Sequence, residues 1–321
     1  MRTKRHGITL VDVLMGIVVL ALLFPSIVVV AGRSRDTSHR LKCASNLRHI
    51  GTALQLYLQN RGEWPRTRYQ PETADRPVVW TGADSTTPFA SNAPAANDVT
   101  AAYRLLLALE DLVSEVFLCP TSPVADFNFA RKRFKREHAN FIDERELSYS
   151  FANPYPTAAA RDGGFKLDAS VTAEFAVASD VNPGSGGVTG GVANDVTTVT
   201  STSSMRDTRP SNSPNHDRDG QNVLYGDGHV DFVQNPFVGV QRDNIFTFGR
   251  PADAPAGYGV VGSPAHAADS VLLPTVDAEL WRRGRAAQVT SSFLWVAVPA
   301  LIVVALFAWN RRRRRVSLAT Q

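Results

Sequence analysis

Two apolar runs bracket the chain, and between them the spacing of apolar positions changes from helical to alternating. The first run, Ile8 to Ala31 (ITLVDVLMGIVVLALLFPSIVVVA), has 24 residues and a single charge, Asp12. A helix of that length crosses a hydrocarbon core about 30 Å thick. The second run, Phe293 to Trp309 (FLWVAVPALIVVALFAW), has 17 residues, the lower limit for a span, with Trp295 and Trp309 near its edges where interfacial anchors sit. Beyond the first run, Leu41, Leu47, Ile50, Leu54, Tyr57 and Leu58 recur at helical spacing. Asp36-Thr37-Ser38 caps or continues that helix, Gly62 stops it, and Trp64-Pro65 lies beyond. A second helix is predicted from Asn97 or Asp98 to about Ser114, with Leu105, Leu106, Leu109 and Leu112 as its stripe.

Further on, the period shortens. Val116 to Pro120 reads as a short strand or turn entry, and Glu146 to Phe151 alternates as a strand closed by Asn153-Pro154. Phe165 to Ala178 supplies another strand, and residues 182–215, rich in Gly, Ser, Thr, Asn and Pro, read as an irregular loop. Gln221 to Val233 (QNVLYGDGHVDFV) alternates on both sides of Gly226-Asp227-Gly228 and is a predicted β-hairpin. These elements define an α+β fold. A C-terminal transmembrane helix is expected after them.

Composition adds topology rather than chemistry. The net charge of +4 suggests a nucleic-acid binder until the basic residues are located. Arg2, Lys4 and Arg5 precede the first apolar run and Arg311 to Arg315 follow the second, so both ends are expected in the cytoplasm and the middle of the chain outside it. The remaining basic cluster, Arg131 to Arg136 with Phe127, Phe129 and Phe134 nearby, reads as a solvated charged face, and no nucleic-acid partner is expected. There are only two cysteines, Cys43 and Cys119, too few for a disulfide scaffold or a thiolate zinc site. One bridge between them is chemically permitted outside the cytoplasm, and the sequence leaves open whether the sulfurs approach.

The segment Lys4-Arg5-His6-Gly7-Ile8-Thr9-Leu10-Val11-Asp12 resembles the type IV prepilin signature: a short basic leader, a glycine, an apolar residue, Thr-Leu, and an acid at the fifth position after the cut. The family normally has Phe and Glu where this chain has Ile8 and Asp12. The resemblance implies cleavage after Gly7 by a prepilin peptidase, methylation of the new N-terminus at Ile8, and pairing of Asp12 with a neighbouring subunit's N-terminus during assembly. It also implies a pilin-like fold in which residues 8 to 60 form one long N-terminal helix, half transmembrane, packed on an antiparallel sheet with long loops; Pro25 would bend or break that helix. Ser213 to Phe232 (SPNHDRDGQNVLYGDGHVDF) is similar to the prepilin-associated domain named for a His, nine residues, then Asp-Gly. The matching residues are His216, Asp227 and Gly228, here with ten residues between His216 and Asp227. Cys43 to Leu47 (CASNL), Phe117 to Pro120 (FLCP) and Ser148 to Phe151 (SYSF) also match that family in order.

The resulting division is a leader 1–7, a transmembrane half-helix 8–31, an amphipathic half 32–62, an extracytoplasmic domain 63–270, a linker 271–292, a span 293–309 and a basic tail 310–321. The expected protein is a structural subunit of the cytoplasmic membrane. Its partners are the membrane, a prepilin peptidase, and other pilin-like subunits or the machinery of a type II secretion or type IV pilus-like system. The second span also fits a two-span anchor whose external domain binds a ligand without entering a filament.

His216, Asp217, Asp219, Asp227, His229 and Asp231 fall within sixteen residues, yet strand alternation gives them no common centre for zinc. Asn215-x-Asp217-x-Asp219-Gly220 repeats the start of a calcium loop, with Gly226 where the twelfth-position Glu belongs and Asp227 as the candidate substitute. A solvated Asx-rich turn is the competing reading, and otherwise no cofactor is expected. Nucleophile-elbow, P-loop and dinucleotide motifs are missing, so an enzyme is not expected. A hydrolytic reading would require His216 and Asp227 to converge in a cleft.

Overall fold

The computed structural model describes residues 10–74, 94–110, 112–127, 138–141, 144–184, 195–249, 258–276 and 283–286, with side chains of the first helix described from residue 35. That helix, α1, runs from Leu10 to Arg61, 52 residues or about 80 Å. Pro25 lies inside it without breaking it. Its end follows from Gly62, which takes φ +79°, and whose N–H donates to the Leu58 carbonyl at 2.7 Å.

The buried face of α1 comprises Cys43, Ala44, Leu47, Ile50, Leu54, Tyr57 and Leu58, at spacings that keep one stripe inward. Leu41, expected in that stripe, is 64% exposed, and Cys43 and Ala44 take its place. Gly51 sets how closely the stripe approaches the sheet, since a Cβ there would stand 2.9 Å from Leu224 Cδ1.

The sheet is antiparallel and five-stranded, in the order β4-β3-β2-β1-β5. Its strands are β1 Tyr149–Ala152, β2 Ala176–Asp180, β3 Gln221–Tyr225, β4 Val230–Val233 and β5 Leu272–Leu273. In register, Tyr149 faces Asp180, Phe151 faces both Ala178 and Leu273, and Ser179 faces Val223. The hairpin β3-β4 stands where the alternation puts it. Its Gly228 takes φ +90°, and the Asp227 carboxylate accepts the His229 backbone N–H at 3.1 Å, so the Asp-Gly pair serves the turn.

Elsewhere the sequence expectations shift by a few residues. The second helix, α2, is Val99–Leu109, a turn shorter than expected. It is buried on nearly all sides rather than along a stripe, with Leu109 exposed. Asp98 caps it, its side chain accepting from the Ala101 N–H at 2.9 Å. Of the two options for Val116 to Pro120, strand or turn entry, the turn forms, as the 3-10 segment Ser114–Phe117; Glu144–Glu146 is another, so β1 starts only at Tyr149. A short helix, α3 (Ala158–Asp162), separates β1 from β2. The stretch 182–215 is not uniformly irregular: α4 (Asp195–Thr198), α5 (Met205–Thr208) and two 3-10 turns fall in it. The expected linker 271–292 opens inside the fold, because Leu272 and Leu273 are fully buried as the edge strand β5.

Among the described residues no helix is long and apolar enough to cross a membrane. The side chains of the apolar run 8–31, all of 293–309 and the basic cluster Arg131 to Arg136 lie outside the described set.

Candidate functional site

The sequence draws attention to one polypeptide stretch, 213–232, whereas the fold assembles a site from four. His216 closes the 3-10 turn Pro214–His216 just before β3, and Ser213 caps that turn. The chain then takes two consecutive left-handed residues, Asp217 at φ +56° and Arg218 at φ +62°, before entering the strand. Such conformations are costly for side-chain-bearing residues and persist where surrounding packing enforces them. This corner turns the imidazole into the core, where it meets the end of β2, the loop after the Ser114–Phe117 turn, and α1.

Four side chains converge there: Cys43 from α1, Cys119, Asp180 at the end of β2, and His216. All are buried, the first three with no exposed surface, and one ligand-type atom from each lies within 4.8 Å of the other three. His216 Nε2 is 3.2 Å from Asp180 Oδ2 and 3.9 Å from Cys119 Sγ. The other ring nitrogen, Nδ1, faces Thr121 Oγ1 at 3.4 Å, and that hydroxyl is also 3.0 Å from Cys119 Sγ. Both thiols are free.

Asp180 is held on every side. Its Oδ2 accepts from the Asn222 backbone N–H at 2.7 Å and from Asn222 Nδ2 at 3.0 Å, and its Oδ1 accepts from Asn215 Nδ2 at 3.2 Å. Asn215 Nδ2 also donates to the Ser148 carbonyl at 2.8 Å, which ties the corner to β1.

These contacts set the ionisation. Burial alone would raise the Asp180 carboxyl, but the His216 charge and hydrogen bond, with the amides of Asn222 and Asn215, hold it below its ordinary value. Burial likewise disfavours a charged His216, and the Asp180 carboxylate outweighs it, raising the imidazole to about 10. For Cys119 burial opposes the thiolate, while hydrogen bonds from Cys43 and His216 bring the thiol down to about 6. Burial and the Cys119 neighbour push Cys43 the other way, far up. Burial first, then the negative groups around it, keeps the Tyr149 phenol well above its usual range.

The trio Cys119, His216 and Asp180 has the residue types of a thiol-protease triad but not its wiring. In such a triad the nucleophile and the carboxylate sit on different ring nitrogens. Here Nε2 faces both, and the group is buried, so it offers neither a proton relay nor a nucleophile within reach of a substrate.

The other expected site residues are dispersed. His216 and Asp227 stand at opposite ends of β3, separated by roughly 16 Å of strand, so they do not converge. The calcium-loop side chains are not gathered either. Asn215 is buried on Asp180, Asp217 pairs with Arg285, and Asp219 binds Arg40 at 2.9 Å and Arg209 at 2.8 Å. Asp227 sits in the hairpin turn, 2.5 Å from His229 Nδ1. His229 and Asp231 do share an exposed face, 3.8 Å apart. Arg40 also lies over the Phe232 ring, 4.5 Å from its centroid, so Asp219 and Phe232 jointly fasten α1 to the hairpin. Gly7 and Ile8 lie outside the described residues, and Asp12 contributes its backbone to α1.

Asp180 was not among the residues expected at a site. Its signal in the sequence is faint: a lone acid ending the apolar stretch FAVAS, where a strand would otherwise run on into the core. A second group, Asp243, His266 and Asp269, also places ligand-type atoms near one another. The Asp269 carboxylate there accepts the N–H groups of Gly249 at 2.8 Å and Ala265 at 2.7 Å, and so fastens two loops.

A comparison with protein-family models, with curated proteins and with solved structures finds no match to this chain.

Proposed function

We propose that this protein is a pseudopilin-like structural subunit of the cytoplasmic membrane, processed after Gly7 by a prepilin peptidase and acting in a type II secretion or type IV pilus-like assembly. The observation that carries the reading is α1. It is one unbroken helix of 52 residues, and its second half is buried on an antiparallel sheet. About 80 Å of helix is roughly twice the diameter of a globular domain of some 210 residues. A helix that only completed a core would not need that length. The extra half has the sequence Leu10 to Ala31, whose apolar character suits a bilayer, with both termini cytoplasmic and the sheet domain outside.

In this reading Asp12 is the functional side chain of the membrane half. A carboxylate in an apolar helix is costly unless paired, and a neighbouring subunit's free N-terminus supplies the pair. The carboxylates of 217–227 are engaged by arginines and by the hairpin turn, and the subunit reading does not depend on calcium there.

A second reading, an anchored binding module, draws on one feature. A cleft of about 360 Å³ beside the end of α1 is lined by Trp64, Tyr69 and Phe165 with the basic Arg66, Arg161 and Lys166 and the acidic Glu63 and Asp168, a mixed aromatic and polar lining of the kind small-ligand clefts have. The two readings separate on Asp12. Asp12→Ala is expected to leave membrane insertion intact and to reduce co-purification with pilin-type subunits in detergent at least tenfold. Unchanged co-purification, or none for the parent chain, would favour the anchored module.

A further inference from the structure

We infer that Cys43, Cys119, Asp180 and His216 form a closed, four-ligand structural site for a thiophilic divalent cation, zinc by its donor set. This inference stands on the fold and does not depend on the subunit reading.

The spacing of the donors is the first argument. Ligands about 2.0–2.3 Å from a tetrahedral zinc stand about 3.3–3.8 Å from one another. His216 Nε2 is 3.2 Å from Asp180 Oδ2 and 3.9 Å from Cys119 Sγ, and the four donor atoms together lie within 4.8 Å. Small adjustments of side-chain torsion bring that set onto one centre.

The orientation of the imidazole is the second. Of the two ring nitrogens Nε2 faces the sulfur and the carboxylate, with Asn222 Nδ2 3.2 Å from it at the rim of the group, while Nδ1 is directed at the Thr121 hydroxyl, 3.4 Å away. A hydrogen-bond partner on the far nitrogen is what fixes the tautomer and the ring plane of a metal-bound histidine. Asp180 is positioned in the same manner by Asn215 and Asn222. Two sulfurs, one nitrogen and one oxygen suit zinc and disfavour calcium or magnesium, which take oxygen ligands. Four protein donors leave no position for substrate, and with all four buried the role is structural.

Binding is a proton exchange without electron transfer. The cation displaces into solvent the protons held on the two sulfurs and on His216 Nε2, forms two metal–sulfur bonds, and takes the neutral imidazole and the Asp180 carboxylate to complete the shell. The competing chemistry is oxidation of the same two sulfurs to a disulfide by an external disulfide. That product would use two of the four groups and leave His216 and Asp180 as a buried ion pair, an arrangement that seldom stabilises a core by itself.

The test uses the full chain, extracted from membranes in detergent without chelator or reductant. Elemental mass spectrometry is expected to find about one zinc per chain, and denatured protein is expected to show both thiols reactive. Stripping the metal should lower the thermal midpoint and added zinc should restore it. Cobalt substitution should give the intense visible absorption of a tetrahedral thiolate site, a readout independent of any variant. Cys43→Ser and His216→Ala are expected to lower zinc affinity at least tenfold, with cobalt spectra showing whether the remaining ligands still gather. A metal-free chain carrying a Cys43–Cys119 disulfide would overturn the inference, as would free thiols that take up neither zinc nor cobalt.

Discussion

Asp180→Ala is expected to destabilise the sheet domain by about 3–5 kcal/mol, the range found when one partner of a buried, hydrogen-bonded charge pair is removed. The substitution leaves three N–H donors, two from Asn222 and one from Asn215, without their acceptor in a water-free setting, and leaves His216 facing them. It also disconnects the end of β2 from the corner before β3. Asp180→Asn is expected to recover only part of the loss, because both carboxylate oxygens accept hydrogen bonds and an amide supplies one oxygen and two further donors. Urea unfolding followed by tryptophan fluorescence measures both, with buried Trp64 among the reporters. Equal, small effects for Ala and Asn would mean that the corner is held by packing alone.

Phe151→Ala is expected to cost about 3–5 kcal/mol, the usual range for deleting a buried aromatic ring. Phe151 occupies β1 between β2 and β5, stacks on Tyr103 with ring centroids 4.3 Å apart, and lies 5.9 Å from Phe117. The ring therefore joins α2 and the turn before Cys119 to the sheet, and the cavity would open where three elements meet. Leu41→Ala is the control: at 64% exposed it should change stability by no more than about 0.5 kcal/mol. A loss at Leu41 comparable to that at Phe151 would place the face of α1 wrongly.

What could be read in the sequence was whatever is local. The stripe Leu47, Ile50, Leu54 and Tyr57 specifies which face of α1 is buried, and Gly62 its end. The turn residues Gly226-Asp227-Gly228 between two short apolar-bearing runs mark the hairpin, although β3 is buried along its whole length rather than on alternate residues. Asp98, a side-chain acceptor ahead of an apolar run, marks the start of α2. Long-range pairing was not legible. Leu272 and Leu273 make too short a run to read as a strand, and only the β1 edge makes them one. Leu41 carries an apolar side chain but stands about 120° round the helix from Leu47, off the buried face, while its neighbour Arg40 is the residue that reaches Phe232.

The site shows the same limit more sharply. His216 stood out by its match to the His–Asp-Gly motif and by the acids near it in sequence, yet those acids face arginines, His229 and solvent. Its actual partners are 36 residues upstream at Asp180 and farther still at Cys119 and Cys43. Motif spacing reports neighbours along the chain, whereas the pairing of β2 with β3 and the seat of α1 on the sheet decide neighbours in space. The two cysteines, too few for any framework by count, gain meaning only when a histidine and an aspartate from other elements join them.

The central claim, a pilin-type helix processed for assembly, is tested most directly by the mass of the mature N-terminus. Protein recovered from membranes that contain a prepilin peptidase is expected to begin at Ile8 and to carry one methyl group on its α-amine, the seven-residue leader having been removed. A chain that still begins at Met1 in the presence of an active peptidase would contradict the claim, leaving a helix-and-sheet domain on an ordinary anchor.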